Sequence, residues 1–504
     1  MKPLLLLATL ATPALAADWP MWGGTPVRNM VGTATNLPVE IVPGKLDANE
    51  QPDLSTSKNI LWAAKLGSQT YGNPVVSGGR VYVGTNNESP RDPKQLGDRG
   101  NLMVFDEKTG AFQWQLIIPK LGAGKVSDWE FVGLCSSPCV IGDKVWLVTN
   151  RGEVLCLDAK GLANGNDGPF QDEAKYMSAD GTSVVVGDQH ADILWKFDMR
   201  EEVGIFPHNV SSCSPVVVDG ILYVATSNGV DWSHTNVPAP LAPALIALDA
   251  EKGTLLGEEI SGVSSRVLHA SWSSPAFAKV NDKGMIIWGG GDGFAYGFEP
   301  KPVMDEKEGI PVLKEIWRYD CNPPEYRTKD GQPIKYATFR GPSEVIGTTV
   351  LHDNLVYAVI GQDPEHGDGI GRLTCIDPTK TGDLSGKPVW TFDDIGRSIS
   401  TPSVSDGLVY IAEYDGDLHC LDAKTGKQYW VHSTQSRVWG STLVADGKVF
   451  LPTEDGELHI LATGKEKKVL GTASFGGPIY SSPIVANNIL YVATMTHLYA
   501  IGTK

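Results

Sequence analysis

Residues 390–430 read WTFDDIGRSISTPSVSDGLVYIAEYDGDLHCLDAKTGKQYW. The short run 401–404 turns at Ser405-Asp406-Gly407 into 408–412, which alternates and is rich in β-branched and aromatic residues. Asp415-Gly416 is a two-residue hairpin signal, because both positions of a type I′ turn need positive φ. The run 418–421 follows, Lys424-Thr425-Gly426 turns again, and 427–432 carries the second Trp. Four antiparallel strands joined by tight turns make one sheet. Such a sheet buries its faces only by stacking against others like it, which marks a repeat architecture.

The pattern recurs from about residue 58 to the end. The inner strand opens on a small polar residue and Pro at Asn73-Pro74, Ser137-Pro138, Ser214-Pro215, Ser274-Pro275, Thr401-Pro402 and Ser482-Pro483, and on Thr348-Thr349 and Ser441-Thr442 in two further copies. Proline is tolerated there because the first residue of a strand owes no ladder bond. Third strands end in pairs such as Phe105-Asp106, Leu157-Asp158, Ile376-Asp377 and Leu421-Asp422; fourth strands carry Trp114, Trp195, Trp317, Trp390 and Trp430. Eight starts mean eight blades. The last copy stops after a third strand at 498–501, and residues 59–62, ending in Trp62, have the fourth-strand pattern with nothing before them. The expectation is an all-β, eight-bladed β-propeller of four-stranded antiparallel blades, its ring closed by the N-terminal strand so that no sheet edge is left open.

The Ser-Pro starts, the Leu-Asp-Ala-Lys-Thr-Gly at 421–426 and the fourth-strand Trp resemble the repeat of the pyrroloquinoline-quinone (PQQ) dehydrogenase-like propellers. That superfamily includes quinoprotein alcohol dehydrogenases and the propeller lipoprotein of the outer-membrane protein assembly machine. The opening Asp18-Trp19-Pro20-Met21-Trp22-Gly23-Gly24 is similar to the N-terminus of the quinoprotein enzymes. The resemblance implies a fold over nearly the whole mature chain; the repeat residues make blades rather than chemistry.

Residues 1–16 read as a signal peptide: Lys2 supplies the charge, 4–10 the apolar core, and Ala14-Leu15-Ala16 the small-residue cleavage motif. The expected organisation is signal peptide 1–16, N-terminal extension 17–57 and propeller 58–504, in an exported, periplasmic or extracellular protein. No Cys stands at the cleavage point, so no lipid anchor is expected, and no later apolar run is long enough to span a bilayer. A formal net charge of −17 and a pI near 5.0 argue against nucleic acid as a partner. Of seven cysteines, Cys156, Cys375 and Cys420 repeat one third-strand position and read as small buried hydrophobes, while Cys135 and Cys213 open neighbouring blades and suggest a bridge between them.

Three connections between second and third strands are long, at 86–101, 228–243 and 361–371, and are expected to form a rim on the face where the inner strands begin. The third holds Asp363, Glu365 and Asp368, which read either as weak hard-cation ligands or as a solvated acidic turn. The segments leading into the inner strands place Tyr71, Trp129, His208, Asn209, His269, Trp272, Arg340, Arg397, Arg437, Trp439 and Tyr480 around the channel mouth. Cationic and aromatic side chains there suit a flat anionic ligand; alternatively they bond exposed carbonyls of neighbouring blades. Two functions follow. One is a binding or scaffolding propeller with a protein partner or an anionic small molecule. The other, implied by the resemblance, is a dehydrogenase of alcohols or sugars using PQQ with Ca²⁺. The sequence lacks the adjacent Cys-Cys pair of those enzymes, and no Glu/Asn/Asp set matches theirs residue by residue.

Overall fold

Each small polar residue–Pro pair leads into a short inner strand, the first of a four-stranded antiparallel sheet, and eight such sheets form the ring in a computed structural model describing residues 17–178, 184–338, 341–364 and 369–503. In the sixth blade the strands are Ser403–Ser405, Leu408–Ala412, Asp417–Asp422 and Gln428–Ser433. Every blade keeps this order. The eighth is completed from the other end of the chain: Ile60–Lys65 pairs antiparallel with His497–Ile501, with Trp62 opposite Ala500. Apolar side chains of both sheet faces fill the spaces between blades, so the core is a series of wedges rather than one central mass.

Two sets of hydrogen bonds join blade to blade. At the inner end, the N–H of the small polar residue donates to the side chain of its counterpart in the next blade. The links run Ser137 to Ser214, Ser214 to Ser274, Thr348 to Thr401, Thr401 to Ser441, Ser441 to Ser482 and Ser482 to Asn73, at 2.6–3.1 Å, and the Asn73 amide reaches Ser137 at 3.2 Å. At the outer end, the indole N–H of Trp62, Trp114, Trp195, Trp390 and Trp430 donates to a carbonyl of the following blade at 2.8–3.3 Å. The rings of Trp62, Trp195 and Trp390 lie flat against Gly110, Gly253 and Gly426, where a β-carbon would collide with them and where φ near 70° also demands glycine. The recurrent Ser/Thr-Pro, Thr-Gly and Trp therefore belong to the joints between blades.

The N-terminal extension has a role that its sequence does not announce. Residues 17–32 cross the channel and touch all eight blades. Trp19 bridges Val76; the carbonyls of Pro20, Pro26 and Met30 accept from Val140, Phe277 and Val444; Asn29 exchanges two bonds with Val404; and the Ala17 carbonyl accepts from Asn487. Arg28, fully buried, donates to the carbonyls of Trp22, Ser214, Pro215 and Pro275 at 2.7–3.0 Å. Burial pulls its guanidinium down to about 10, and the four carbonyls stand in for a counter-ion. The Trp22 indole completes the fifth blade's contact through the Thr348 hydroxyl at 3.0 Å.

Several features depart from the sequence expectations. The third-to-fourth connections of blades two and four are long as well. The one in blade four folds into a hairpin, Val303–Asp305 with Ile310–Leu313, which pairs in parallel with blade three's outer strand, Leu255–Glu259. It covers an exposed sheet edge. The Cys135–Cys213 bridge is not formed. All seven thiols are free, and that of Cys213 accepts from Ala225 N in its own blade. Burial pushes Cys135 and Cys213 up to about 12, as befits inert packing residues. Residues 1–16, the signal-peptide reading, lie outside the described residues. No helix among the described residues is long and apolar enough to cross a membrane.

Two predictions follow from these contacts. Replacing Arg28 by Ala strands four buried carbonyls in the channel and should cost about 3–5 kcal/mol, read as a lowered denaturation midpoint. The second concerns Glu259, which holds the end of blade three's long loop by accepting from Ala244 N and Ser261 N. Burial raises its carboxyl from 4.5 to about 7. A raised folded-state value means that the contribution is full below pH about 4.5 and is lost as pH climbs through 7. Stability should therefore fall by an amount of order 3 kcal/mol between pH 5 and 8, and Glu259→Gln should flatten that slope in denaturation curves taken across the range.

Candidate functional site

Trp22 closes the channel from below, and above it lies a cavity of about 350 Å³. Its walls are the segments that lead into the inner strands: Tyr71, Trp129, Asn209, Trp272, Trp439 and Tyr480 all line it, over a floor edged by girdle residues such as Ser214, Ser274, Thr348 and Thr401. On one side the rings pack as a group, with Tyr71–Tyr480 centroids 5.2 Å apart and Trp439–Tyr480 5.0 Å apart. The Trp439 indole donates to Glu454 at 2.8 Å, which fixes its plane. On the other side, Trp272 donates to the Val210 carbonyl at 3.0 Å. Stacking surfaces held this way lose little freedom when a ring slides between them.

The long loops surround this mouth. Asp98 of the first accepts from Phe131 N at 2.8 Å, Gly229 of the second bridges Ala270, and Asp363 of the third accepts from the Asn209 amide at 3.3 Å. All three therefore meet strand-entry segments on the cavity's face, as the sequence suggested. The rim they form exposes Leu96, Phe131, Trp232 and Leu241.

Two of the arginines stand elsewhere. Arg397 is buried with its guanidinium 4.4 Å from the Tyr414 ring centroid, and Arg437 lies 5.6 Å from the same ring. Tyr414 packs edge-on against Trp439, at 5.4 Å, so both cations stack on a ring beside the aromatic wall, Arg397 buried and Arg437 exposed. Nε and Nη1 of Arg397 have no hydrogen-bond partner and are sealed from solvent. Arg340, Glu365 and Asp368 lie outside the described residues. Among the described residues the cavity lining holds no Lys, Arg or His, and Asp363 is its one carboxylate.

His208 and His269 form a separate group beside the cavity. Their Nε2 atoms are 2.7 Å apart, and His234, from blade three's long loop, completes a cluster whose ligand atoms all fall within 4.8 Å of one another. Trp272 separates this group from the cavity, its ring centroid 5.0 Å from that of His269. The sequence reading missed His234, which sits nine residues past the second strand in a loop with no spacing signal of its own.

The comparisons with known proteins agree with this architecture. The family model described as outer membrane protein assembly factor BamB matches residues 93–202 and 369–467. Among solved structures, a europium-containing methanol dehydrogenase is similar at 14% identity, covering 96% of this chain and 90% of that one, with a TM-score of 0.60. The chain is an eight-bladed β-propeller with the fold of that structure. Quinohemoprotein alcohol dehydrogenase ADHIIG from Pseudomonas putida HK5 is similar to this propeller at 13% identity, covering 97% and 81% of the two chains, with a TM-score of 0.59. BamB from Moraxella catarrhalis follows at 12% identity, with coverage of 88% and 97% and a TM-score of 0.52. At such identities the likeness is one of fold. No curated protein matches the chain.

The described residues of the propeller's mouth do not fit the quinone for which the repeat is named. PQQ carries three carboxylates, so burying it requires cations on the lining, and the described lining supplies none. A Ca²⁺ beside it would want six to eight oxygens. Asp363, with Asn209 donating to it and His269 3.8 Å away, is already engaged on the wrong side of that requirement.

Proposed function

We propose that the protein is an exported binding propeller which holds a small, ring-bearing organic ligand in the mouth cavity. The observation that supports this is the cavity itself: a pocket of about 350 Å³, floored by the chain's own Trp22 and walled by rings whose planes are fixed by hydrogen bonds. Aromatic walls bind a flat or pyranose ring by its face, while Asn209, Asp363 and the girdle hydroxyls supply the few polar contacts that orient it. The anionic ligand suggested by the arginines loses the support of two of the three, because Arg397 and Arg437 stack on Tyr414 rather than line the cavity, while Arg340 is outside the described residues. The dehydrogenase reading is not adopted, because the described lining offers no cation for the quinone's carboxylates.

A protein partner is a compatible second reading, favoured by one observation. The rim carries Leu96, Trp232 and Leu241 at 62%, 62% and 95% exposure on the face that surrounds the cavity. Exposed apolar side chains gathered on one functional face suit docking.

The ligand proposal is tested by thermal shift and tryptophan fluorescence with a panel of ring compounds: quinones, nucleobases and oligosaccharides. At least one class should raise the midpoint and quench emission. Trp439→Ala and Trp272→Ala should each weaken that ligand by tenfold or more, while Trp232→Ser on the rim should leave its affinity unchanged. A panel in which no compound shifts the parent protein, or a shift untouched by both cavity substitutions, would contradict the proposal.

A further inference from the structure

We infer that His208, His234 and His269 form a binding site for one transition-metal ion, with Zn²⁺ as the ion their chemistry suits. The three rings come from separate segments. His208 precedes blade three, His269 precedes blade four, and His234 is delivered by the loop between the second and third strands of blade three. Their centroids are 4.4, 5.0 and 5.1 Å apart, and the nitrogen atoms that could serve as ligands all lie within 4.8 Å of one another. His208 and His269 are buried and His234 is half-buried.

The surroundings set the tautomers that a metal needs. His208 Nδ1 lies 2.6 Å from the Val230 carbonyl, an acceptor, so that nitrogen carries the proton and Nε2 presents its lone pair to the cluster. His269 Nδ1 faces the Asp363 carboxylate at 3.8 Å, and Asp363 is itself held by the Asn209 amide. A proton on His269 Nδ1 frees its Nε2 in turn. A carbonyl behind one imidazole and a carboxylate behind another are the outer partners that orient metal-bound histidines. Without an ion, and with both Nδ1 atoms protonated, the 2.7 Å approach of the two Nε2 atoms is an N–H···N hydrogen bond only when one ring carries a second proton; an ion replaces that proton. His234 is presented by a tight turn in which its own N–H donates to the Asp231 carbonyl at 3.0 Å. The Asp231 carboxylate in turn accepts from Ser233 N at 2.9 Å and from Asn236 at 2.7 Å.

Nitrogen donors decide the class of ion. Three neutral imidazoles suit Zn²⁺ and its neighbours in the first transition row, whereas Ca²⁺ and Mg²⁺ require oxygen. Three histidine ligands among the described residues leave a fourth position for a further donor. The ion would tie blade three's loop to the entries of two blades. It would lie directly behind Trp272, and so would stiffen one wall of the cavity whatever the cavity holds. The inference does not depend on the ligand proposed above.

The test uses the untagged mature chain, stripped with a chelator and titrated calorimetrically with ZnCl2 and, separately, CaCl2, with CoCl2 added for its visible spectrum. The expected result is one Zn²⁺ per chain at submicromolar affinity, a raised denaturation midpoint, no comparable uptake of Ca²⁺, and a Co²⁺ absorption band. His234→Ala, at a half-buried loop position, should keep the metal-free midpoint and weaken Zn²⁺ by about a hundredfold or more. His269→Gln should do the same to binding. His432→Ala, which alters a histidine pair elsewhere, should change nothing. Absence of saturable one-to-one Zn²⁺ binding, equal affinity for Ca²⁺, or binding that survives His234→Ala would overturn the inference.

Discussion

The structure depends on one repeated hydrogen bond: the N–H of the small polar residue opening an inner strand, donated in six of the eight blades to the side chain of its counterpart in the next blade. A propeller blade is wedge-shaped, and its inner strands crowd around an axis where there is little room for apolar packing. The girdle from Ser137 through Ser214 and Ser274, and from Thr348 through Thr401, Ser441 and Ser482 to Asn73, satisfies backbone groups that would otherwise be buried without partners. A short side chain is needed because anything longer would fill the channel. Proline follows it at no cost in ladder bonds. At larger radius the indoles of Trp62, Trp114, Trp195, Trp390 and Trp430 repeat the logic by crossing to the next blade, whereas that of Trp317 donates to Met285 Sδ in its own blade.

With the joints fixed at both radii, the channel is a rigid tube that needs a stopper, and the chain supplies one from its own N-terminus. Arg28 is the anchor. Its planar fork reaches carbonyls of blades three and four and of its own segment, an arrangement that Lys, with a point charge, would not reproduce. Trp22 then becomes the floor of the mouth cavity. The site is a consequence of the plug: without residues 17–32 the aromatic rings would line an open pore. Fold and site thus share residues, Thr348 above all, which accepts from Trp22 and donates its own N–H to the girdle.

The fold was legible because its determinants are periodic. Turn glycines, Ser/Thr-Pro starts and outer tryptophans recur every few tens of residues, and the orphan strand ending in Trp62 could be matched to the incomplete last blade by pattern alone. The aromatic half of the mouth was legible for the same reason: Asn209, Trp272, Trp439 and Tyr480 precede inner strands and so had to face the axis. Position along the strand entry does not, however, fix side-chain direction. Arg397 and Arg437 share that position and turn aside to stack on Tyr414. The plug and His234 were invisible because each occurs once. Arg28 meets backbone carbonyls 186 to 247 residues away, contacts that carry no signature in the partner's side chains.

The central claim is that the plug, the closing strand and the girdle make the ring a single cooperative unit. Hydrogen exchange of a chain spanning residues 17–504, followed by mass spectrometry on peptides covering 17–32, 60–65 and the inner strands, tests it most directly. The account predicts that all three sets exchange together, at the slow rate set by global unfolding, because Val76, Val140, Phe277 and Val444 are bonded to the plug itself. Exchange of 17–32 orders of magnitude faster than the inner strands would contradict it, and would show a ring that stands without its stopper.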